Sequence, residues 1–303
     1  MIGDTRGAAL VSRDGSIDWL CLPRFDSGAS FAALLGAPEH GRFLIAPEGE
    51  AREVDRRYRG DTLILETDIR TADGSVRLVD LMPVSGDPPA VVRIVRGLSG
   101  RVRMGAELVI RSHYGSVVPW VRRSGDALIA MAGPDGFAIH TPVELRGKDL
   151  TTVATFEVGE GEDVPFAMAW FPSHRRPPGP PDTPALERET ERWWTTWSER
   201  CTYRGAYRDE VMRSLIVLRA LTHSETGGMV AAPTTSLPER IGGKRNWDYR
   251  YCWLRDAAAA VEALVSCGYD EEAEAWIEWL LRAVGGDPGQ AQILYGVAGE
   301  RYT

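Results

Sequence analysis

The chain has 303 residues, 44% hydrophobic and 26% charged, with Gly 32 and Pro 19 spread without a repeat. That composition is of an ordinary globular protein with room for two domains and their cores, and it excludes disorder. A formal net charge of −8 argues against a nucleic-acid or anionic-membrane surface, which needs concentrated positive charge, and is compatible with a neutral substrate.

Lysine occurs only at Lys148 and Lys244, so arginine supplies almost all the positive charge. The start, MIGDTRGAAL, lacks a basic n-region and an apolar h-region. No stretch approaches the ~20 apolar residues needed to span a bilayer, and the expectation is a cytoplasmic protein. Cys21, Cys201, Cys252 and Cys267 lie far apart with no CxxC pair, which indicates reduced, buried thiols rather than a zinc knuckle or a disulfide framework.

From about residue 7 to 171 the pattern is short apolar runs broken by turn signals. Residues 8–11 and 17–22 flank Arg13-Asp14-Gly15-Ser16, and 62–71 and 76–81 flank Ala72-Asp73-Gly74; both read as hairpins. A short helical stretch is expected over 27–35. Further strands are expected at 90–95, 101–110, 127–131, 137–141, 151–158 and 165–170. About ten strands with tight turns predict an antiparallel β-sandwich domain over 1–173.

Residues 174–184 then turn to a Pro-rich linker, RRPPGPPDTP, which can hold neither a helix nor a central strand because proline removes amide donors and fixes φ. Beyond it, over 185–303, the period changes to 3.6. Leu186, Thr190, Trp193, Trp194 and Trp197 share one helix face, as do Val211, Leu215 and Leu218. A third helix is expected over 257–267, stopped by Gly268. A fourth carries Ala273, Trp276, Ile277, Leu280, Leu281 and Val284, with acidic residues in its first turn and Gly285-Gly286 at its end. The second half is therefore expected to be all helical. A sandwich followed by helical pairs suggests an (α/α) barrel, but about four helices cannot close a six-pair one, so the first part of a truncated (α/α)6 barrel is expected.

The densest chemistry lies in NWDYRYCWLRD, residues 246–256, with four aromatics, two arginines and two aspartates, reached through the long loop GGMVAAPTTSLPE (227–239). Aromatic faces stack on the C–H faces of a pyranose, and Arg and Asp hydrogen-bond its hydroxyls with charge-assisted strength. That chemistry is assigned to Tyr249, Trp253, Arg255 and Asp256. Plainer readings stay open beside it. Asp256 precedes Ala257 and reads equally as the N-cap of that helix. Arg255 reads as the partner of an ion pair with Asp248 or Asp256, Trp247 and Trp253 as core residues, and Glu239 as a solvated loop carboxylate rather than a general acid. His40, His113, His140, His174 and His223 show no metal-ligand spacing, so no metal or other cofactor is expected, and no GxSxG, P-loop or GxGxxG opens a helix after a strand.

The blocks GDTRGAALVSRDGSIDWLCLPRFDS (3–27), APTTSLPE (232–239), NWDYRYCWLRDA (246–257) and QILYGVAGE (292–300) resemble glycoside hydrolase family 15. The likeness is to its bacterial glucoamylase-like and trehalase branch, including the trehalase-like N-terminal domain. The resemblance implies an N-terminal β-sandwich, a linker and an (α/α)6 catalytic barrel. It further implies inverting hydrolysis at a non-reducing glucose of trehalose or α-1,4-glucans, with a small-molecule or oligosaccharide substrate as the partner. It places glycone-binding roles on Tyr249, Trp253, Arg255 and Asp256, and Tyr295 at the site entrance. It assigns no catalytic residue, because the family's general acid and base belong to barrel segments beyond residue 303. The chain is therefore expected to be an inactive fragment, with exposed helix faces that favour self-association. Two alternatives remain: a non-catalytic carbohydrate-binding or regulatory module, and a glycoside phosphorylase, for which no phosphate motif is seen.

Overall fold

The structure, a computed structural model, describes residues 1–301 apart from 85, 286 and 287. The chain forms two compact units: a β-rich one of residues 1–4, 9–22 and 28–193, and a second of residues 5–8, 23–27 and 194–303.

Among the described residues, fifteen strands of the first unit form one antiparallel sheet built around the long strand Ala90–Val109. Its first half pairs with Gly74–Leu81 on one side and Asp163–Pro172 on the other. Its second half pairs with Arg42–Pro47 and Thr151–Gly159. Strands from both halves send side chains into one core, where Phe43 and Ile45 meet Val76, Leu78, Val95, Phe137 and Phe166. Burial of each such side chain stabilises by roughly 1.5–3 kcal/mol.

Alternation along the strands fixes which residues enter that core. Val76 and Leu78 face it, while Val79 and Leu81 turn the other way with Val92 and Ile94, against Leu186 of helix α1 (Thr183–Glu199). Carboxylates of the same helix hold the sheet: Arg59 reaches Glu187 at 2.7 Å and Glu191 at 3.0 Å, and Arg96 reaches Glu187 at 3.3 Å.

Two strand expectations need correction. The run 90–95 and 101–110 is one strand, because Gly97-Leu98-Ser99-Gly100, which reads as a turn, stays in the ladder. A Cβ on Gly97 would lie 1.9 Å from the Gly159 carbonyl oxygen, so the glycine is there for close backbone approach. The helical stretch expected over 27–35 is a strand, Ala29–Phe31, followed by a single 3-10 turn, Ala33–Leu35. Leu20 pairs with Phe31, and this buried edge contact overrides the local preference of an alanine-rich run.

The second unit contains the end of α1, then α2 (Arg208–Ala220), α3 (Leu254–Ser266) and α4 (Asp270–Val284). Trp197 stacks on Tyr269 at 4.1 Å between ring centroids and donates its Nε1–H to buried Glu272 at 2.6 Å, tying α1 to α4. Gly268, at φ +88, ends α3, and a Cβ there would meet Thr202 Cγ2 at 2.6 Å. Gly285, at φ 72, follows α4, whereas Gly286 of the expected stop lies outside the described residues.

This unit is not all helical. Cys252–Trp253 pairs antiparallel with Leu294–Tyr295, and residues 221–251 form no helix among those described. No helix of the described residues is long and apolar enough to cross a membrane.

Candidate functional site

The loop ahead of the aromatic run doubles back on itself. Ala231 and Ala232 amides donate to the carbonyls of Tyr251 and Tyr249, Ser236 to Trp247, and Glu239 to Arg245. The stretch 231–239 thus lies antiparallel to 245–251, with Ile241 fully exposed at the tip. This geometry presents the aromatic side chains together. Trp253 meets Trp247 edge-on at 6.0 Å and Tyr249 edge-on at 5.9 Å, arrangements favoured by the ring quadrupoles.

Beside them lies a cavity of about 600 Å³, lined by Asn246, Trp247, Asp248, Tyr251, Trp253 and residues 291–294. Its size suits a disaccharide-scale ligand, and Trp247, Tyr251 and Trp253 give its wall three aromatic faces. The short pairing of 252–253 with 294–295 brings the two linings together, and the Leu254 amide extends it by donating to the Ile293 carbonyl at 3.2 Å.

The carboxylate in the lining is committed. Asp248 Oδ1 accepts from Arg250 Nε at 2.9 Å and from the Arg250 amide at 3.0 Å, and Oδ2 accepts from Arg250 Nη2 at 2.6 Å. Arg250, itself buried, also donates Nη1 to the Ser27 carbonyl at 2.8 Å, and Trp253 Nε1 donates to the Asp248 carbonyl at 2.8 Å. Arg250 is the residue that sequence reasoning missed. The only local signal was the spacing: residues 249–250 form a turn, and an aspartate commonly accepts from the backbone amide two residues on, as Asp248 does from Arg250.

The residues picked from the sequence therefore divide. Trp253 lines the cavity and Tyr249 touches Trp253. Arg255 is 86% exposed and makes its ion pair with Asp256 at 3.3 Å, while Asp248 is taken by Arg250. Asp256 is not an N-cap: the helix starts at Leu254 with Trp253 in the cap position, and Asp256 sits in the first turn, where the helix dipole favours a carboxylate. Tyr295 is fully buried rather than at an entrance; its hydroxyl accepts from the Gln292 amide at 2.9 Å and its ring meets Trp279 edge-on at 6.1 Å. Glu239 is half-exposed and accepts from Trp247 Nε1 at 3.3 Å.

The separate sequence blocks converge within this unit. Arg24 ion-pairs with Asp26 at 2.6 Å and with Glu300 at 2.9 Å, and Asp26 accepts from the Val297 amide at 3.3 Å. Desolvation works against the Glu300 carboxylate, yet its backbone hydrogen bonds and Arg24 together hold its pKa below the usual value. Burial pushes the Cys252 thiol well above its usual pKa, which makes it an inert packing group beside Tyr295. Among the described residues no group of His, Cys, Asp and Glu could hold a metal ion.

A family profile described as Trehalase-like, N-terminal matches residues 1–158, and one described as Glycosyl hydrolases family 15 matches residues 205–302. The trehalase of Thermoplasma acidophilum is 36% identical over 88% of this chain and 47% of its own length. That of Mycolicibacterium smegmatis is 31% identical over 99% of this chain and 49% of its own. The chain thus spans about half the length of these curated relatives. A bacterial glucoamylase complexed with acarbose shares the fold, with a TM-score of 0.69 at 12% identity over 99% of this chain and 52% of that one. A putative kojibiose phosphorylase from human microbiome is less similar, at 0.53 and 8% identity over 94% and 42%. With both profiles matched in order along its length, the chain belongs to glycosyl hydrolases family 15, in the group that carries a trehalase-like N-terminal region.

Proposed function

We propose that this chain supplies the glucose-binding part of an inverting α-glucosidase that acts on trehalose, with α-1,4-glucans as the second substrate class. In this reading residues 1–173 are the trehalase-like N-terminal domain, 174–184 the linker and 185–303 part of the catalytic barrel. The observation that carries the reading is the aromatic-walled cavity of about 600 Å³ built by the 246–253 run, in a chain whose trehalase relatives match nearly all of it.

Inverting hydrolysis needs a carboxylic acid to protonate the leaving oxygen and a carboxylate about 6.5–9.5 Å away to activate water. Asp248, with both oxygens held by Arg250, is unsuited to either role; in this reading the acid and the base are supplied by parts of the barrel other than the 246–256 run. Trp247, Tyr251 and Trp253 provide the stacking wall, with Tyr249 edge-on behind Trp253. Arg255, largely exposed, and Asp256, partly exposed, pair with each other at 3.3 Å and grip sugar hydroxyls by trading that modest contact for several.

Calorimetric titration of trehalose and maltose into the purified chain tests this reading. Binding of trehalose is expected, weakened about tenfold or more by Trp253→Ala, with no glucose released by the chain alone. Absence of binding to both sugars would overturn the site, and robust glucose release would overturn the placement of the acid and base. The commitment of Asp248 also favours a second reading, a sugar-binding module without catalysis. Trehalose hydrolysis by the gene product isolated from its natural host separates the two.

A further inference from the structure

The β-rich unit contains a second cavity, of about 380 Å³, that the reading above does not use. One wall is the edge strand Trp120–Ser124, every residue of which is exposed; another is the two-residue hairpin tip Asp149-Leu150 between strands Arg146–Lys148 and Thr151–Gly159. Trp120 is 65% exposed, an unusual state for a large aromatic, and leaves an indole surface at the mouth.

The buried arginine here differs from the other buried arginine of the unit, Arg93, which faces Asp80 at 2.7 Å. Arg42, Arg57, Arg59, Arg77, Arg93 and Arg96 each have a carboxylate within ion-pair distance. Arg111, only 8% exposed, donates instead to two backbone carbonyls, Ile110 at 2.7 Å and Leu150 at 3.2 Å, and no carboxylate of the described residues pairs with it. Lys148 in the lining and Arg122, whose guanidinium lies 5.8 Å from the Trp120 ring, are likewise without an ion pair. Asp149 lines the cavity but reaches none of them within that distance. Burial without a facing carboxylate lowers the Arg111 pKa.

The guanidinium is also fixed in place. It holds the carbonyl of Leu150, which sits at φ 59 beside Asp149 at φ 49, a left-handed pair that a leucine rarely adopts and that is 73% exposed at Leu150. A buried, oriented and uncompensated cation next to an exposed aromatic face is the arrangement that captures an anion carried on a ring.

We propose that this cavity binds an anionic saccharide, a phosphorylated or carboxylated sugar, whose ring lies on Trp120 and whose anionic group meets Arg111 and Lys148. The hydroxyls of Thr151 and Thr152, also in the lining, supply neutral partners for the sugar. The site is made wholly by residues of the β-rich unit and does not depend on the glycosidase reading.

The test is calorimetric titration of the intact chain with glucose 6-phosphate, glucuronate, glucose and inorganic phosphate. At least one charged sugar is expected to bind about tenfold or more tightly than glucose and than phosphate alone. Preference for glucose 6-phosphate identifies a phosphate ester and preference for glucuronate a carboxylate. Trp120→Ala and Lys148→Gln, both at exposed positions, are each expected to weaken that binding several-fold without moving the unfolding midpoint; Arg111→Met should abolish it, but also loosens the hairpin. Glucose or inorganic phosphate binding as tightly as the better-bound charged sugar, no binding by any of the four, or affinity unchanged in both exposed variants would overturn the proposal.

Discussion

Two arginine–aspartate pairs show how the same chemistry serves different ends in the two units. Arg93 and Asp80 sit in the β-rich unit with both side chains 0% exposed, and Arg93 also donates to the carbonyls of Gly15 and Phe43. Arg250 and Asp248 sit by the aromatic cavity, 5% and 26% exposed, and Arg250 also donates to the Ser27 carbonyl. Each arginine spends its fork on one carboxylate and on backbone carbonyls of a distant segment. The first pair closes a core and the second orients a loop, so the first should cost stability and the second both stability and ligand binding.

The largest expected effect breaks that comparison at its buried end. Asp80→Ala leaves the Arg93 guanidinium desolvated without its anion, a change that typically costs about 3–5 kcal/mol. Urea unfolding followed by circular dichroism reads it directly. A loss under about 1 kcal/mol would mean that water reaches Arg93 and that the two pairs are alike.

A smaller loss, about 1.5–3 kcal/mol, is expected from Arg250→Ala. It removes charge-assisted bonds to Asp248 and orphans the Ser27 carbonyl, but Asp248 can turn to solvent. The sharper readout is sugar binding. Asp248 is anchored by Arg250 and carries, through its carbonyl, the indole N–H of Trp253, so the variant should lose trehalose affinity about as much as Trp253→Ala does. Unchanged affinity would show that the aromatic wall holds itself.

These contrasts also explain what was legible in the sequence. Strand alternation and helical period are local, so the strands at 8–11 and 76–81 and the four helices follow from the order of residues alone. The unbroken strand through Gly97-Leu98-Ser99-Gly100 does not, because it depends on the backbone of Gly159 packed against Gly97 and on that of Asp73-Gly74 packed against Gly100. The buried strand Ala29–Phe31 likewise depends on its partner Leu20.

The candidate site follows the same rule. The density of aromatics between 246 and 253 marked it, and Trp253 and Tyr249 do stand together. Which arginine takes Asp248 was not legible, because Arg250 and Arg255 both lie near it in sequence and the direction of the backbone decides. Tyr295 was placed at an opening from its position in a recognisable block; its burial against Trp279 depends on α4, which no local pattern of 292–300 encodes.

The smallest expected effect distinguishes the units by pH. His223, in the second unit, lies with its ring edge-on to Phe25 at 6.5 Å and its Nδ1 3.3 Å from Thr226 Oγ1. Burial pushes its pKa below the usual histidine value; the charges of Glu225 and Asp26 oppose this and those of Arg24 and Arg6 add to it. As pH falls below about 6.5, the unfolded chain takes up a proton that the folded chain refuses, so the unfolded state binds more protons and stability declines with falling pH. The decline begins near the unfolded value, ends once pH passes the lowered folded value, and leaves stability above about pH 7 untouched. His223→Gln keeps a polar group of similar reach and should flatten the slope of unfolding free energy between about pH 6.5 and 5 for the second unit alone. An unaltered slope in the variant would assign the acid sensitivity to carboxylates instead. Asp68 of the β-rich unit acts in a lower window: hydrogen bonds from Arg77 and Arg57, outweighing desolvation, hold its pKa below the usual value, so its contribution is intact between about pH 6.5 and 5 and is lost only as pH falls through that lowered value.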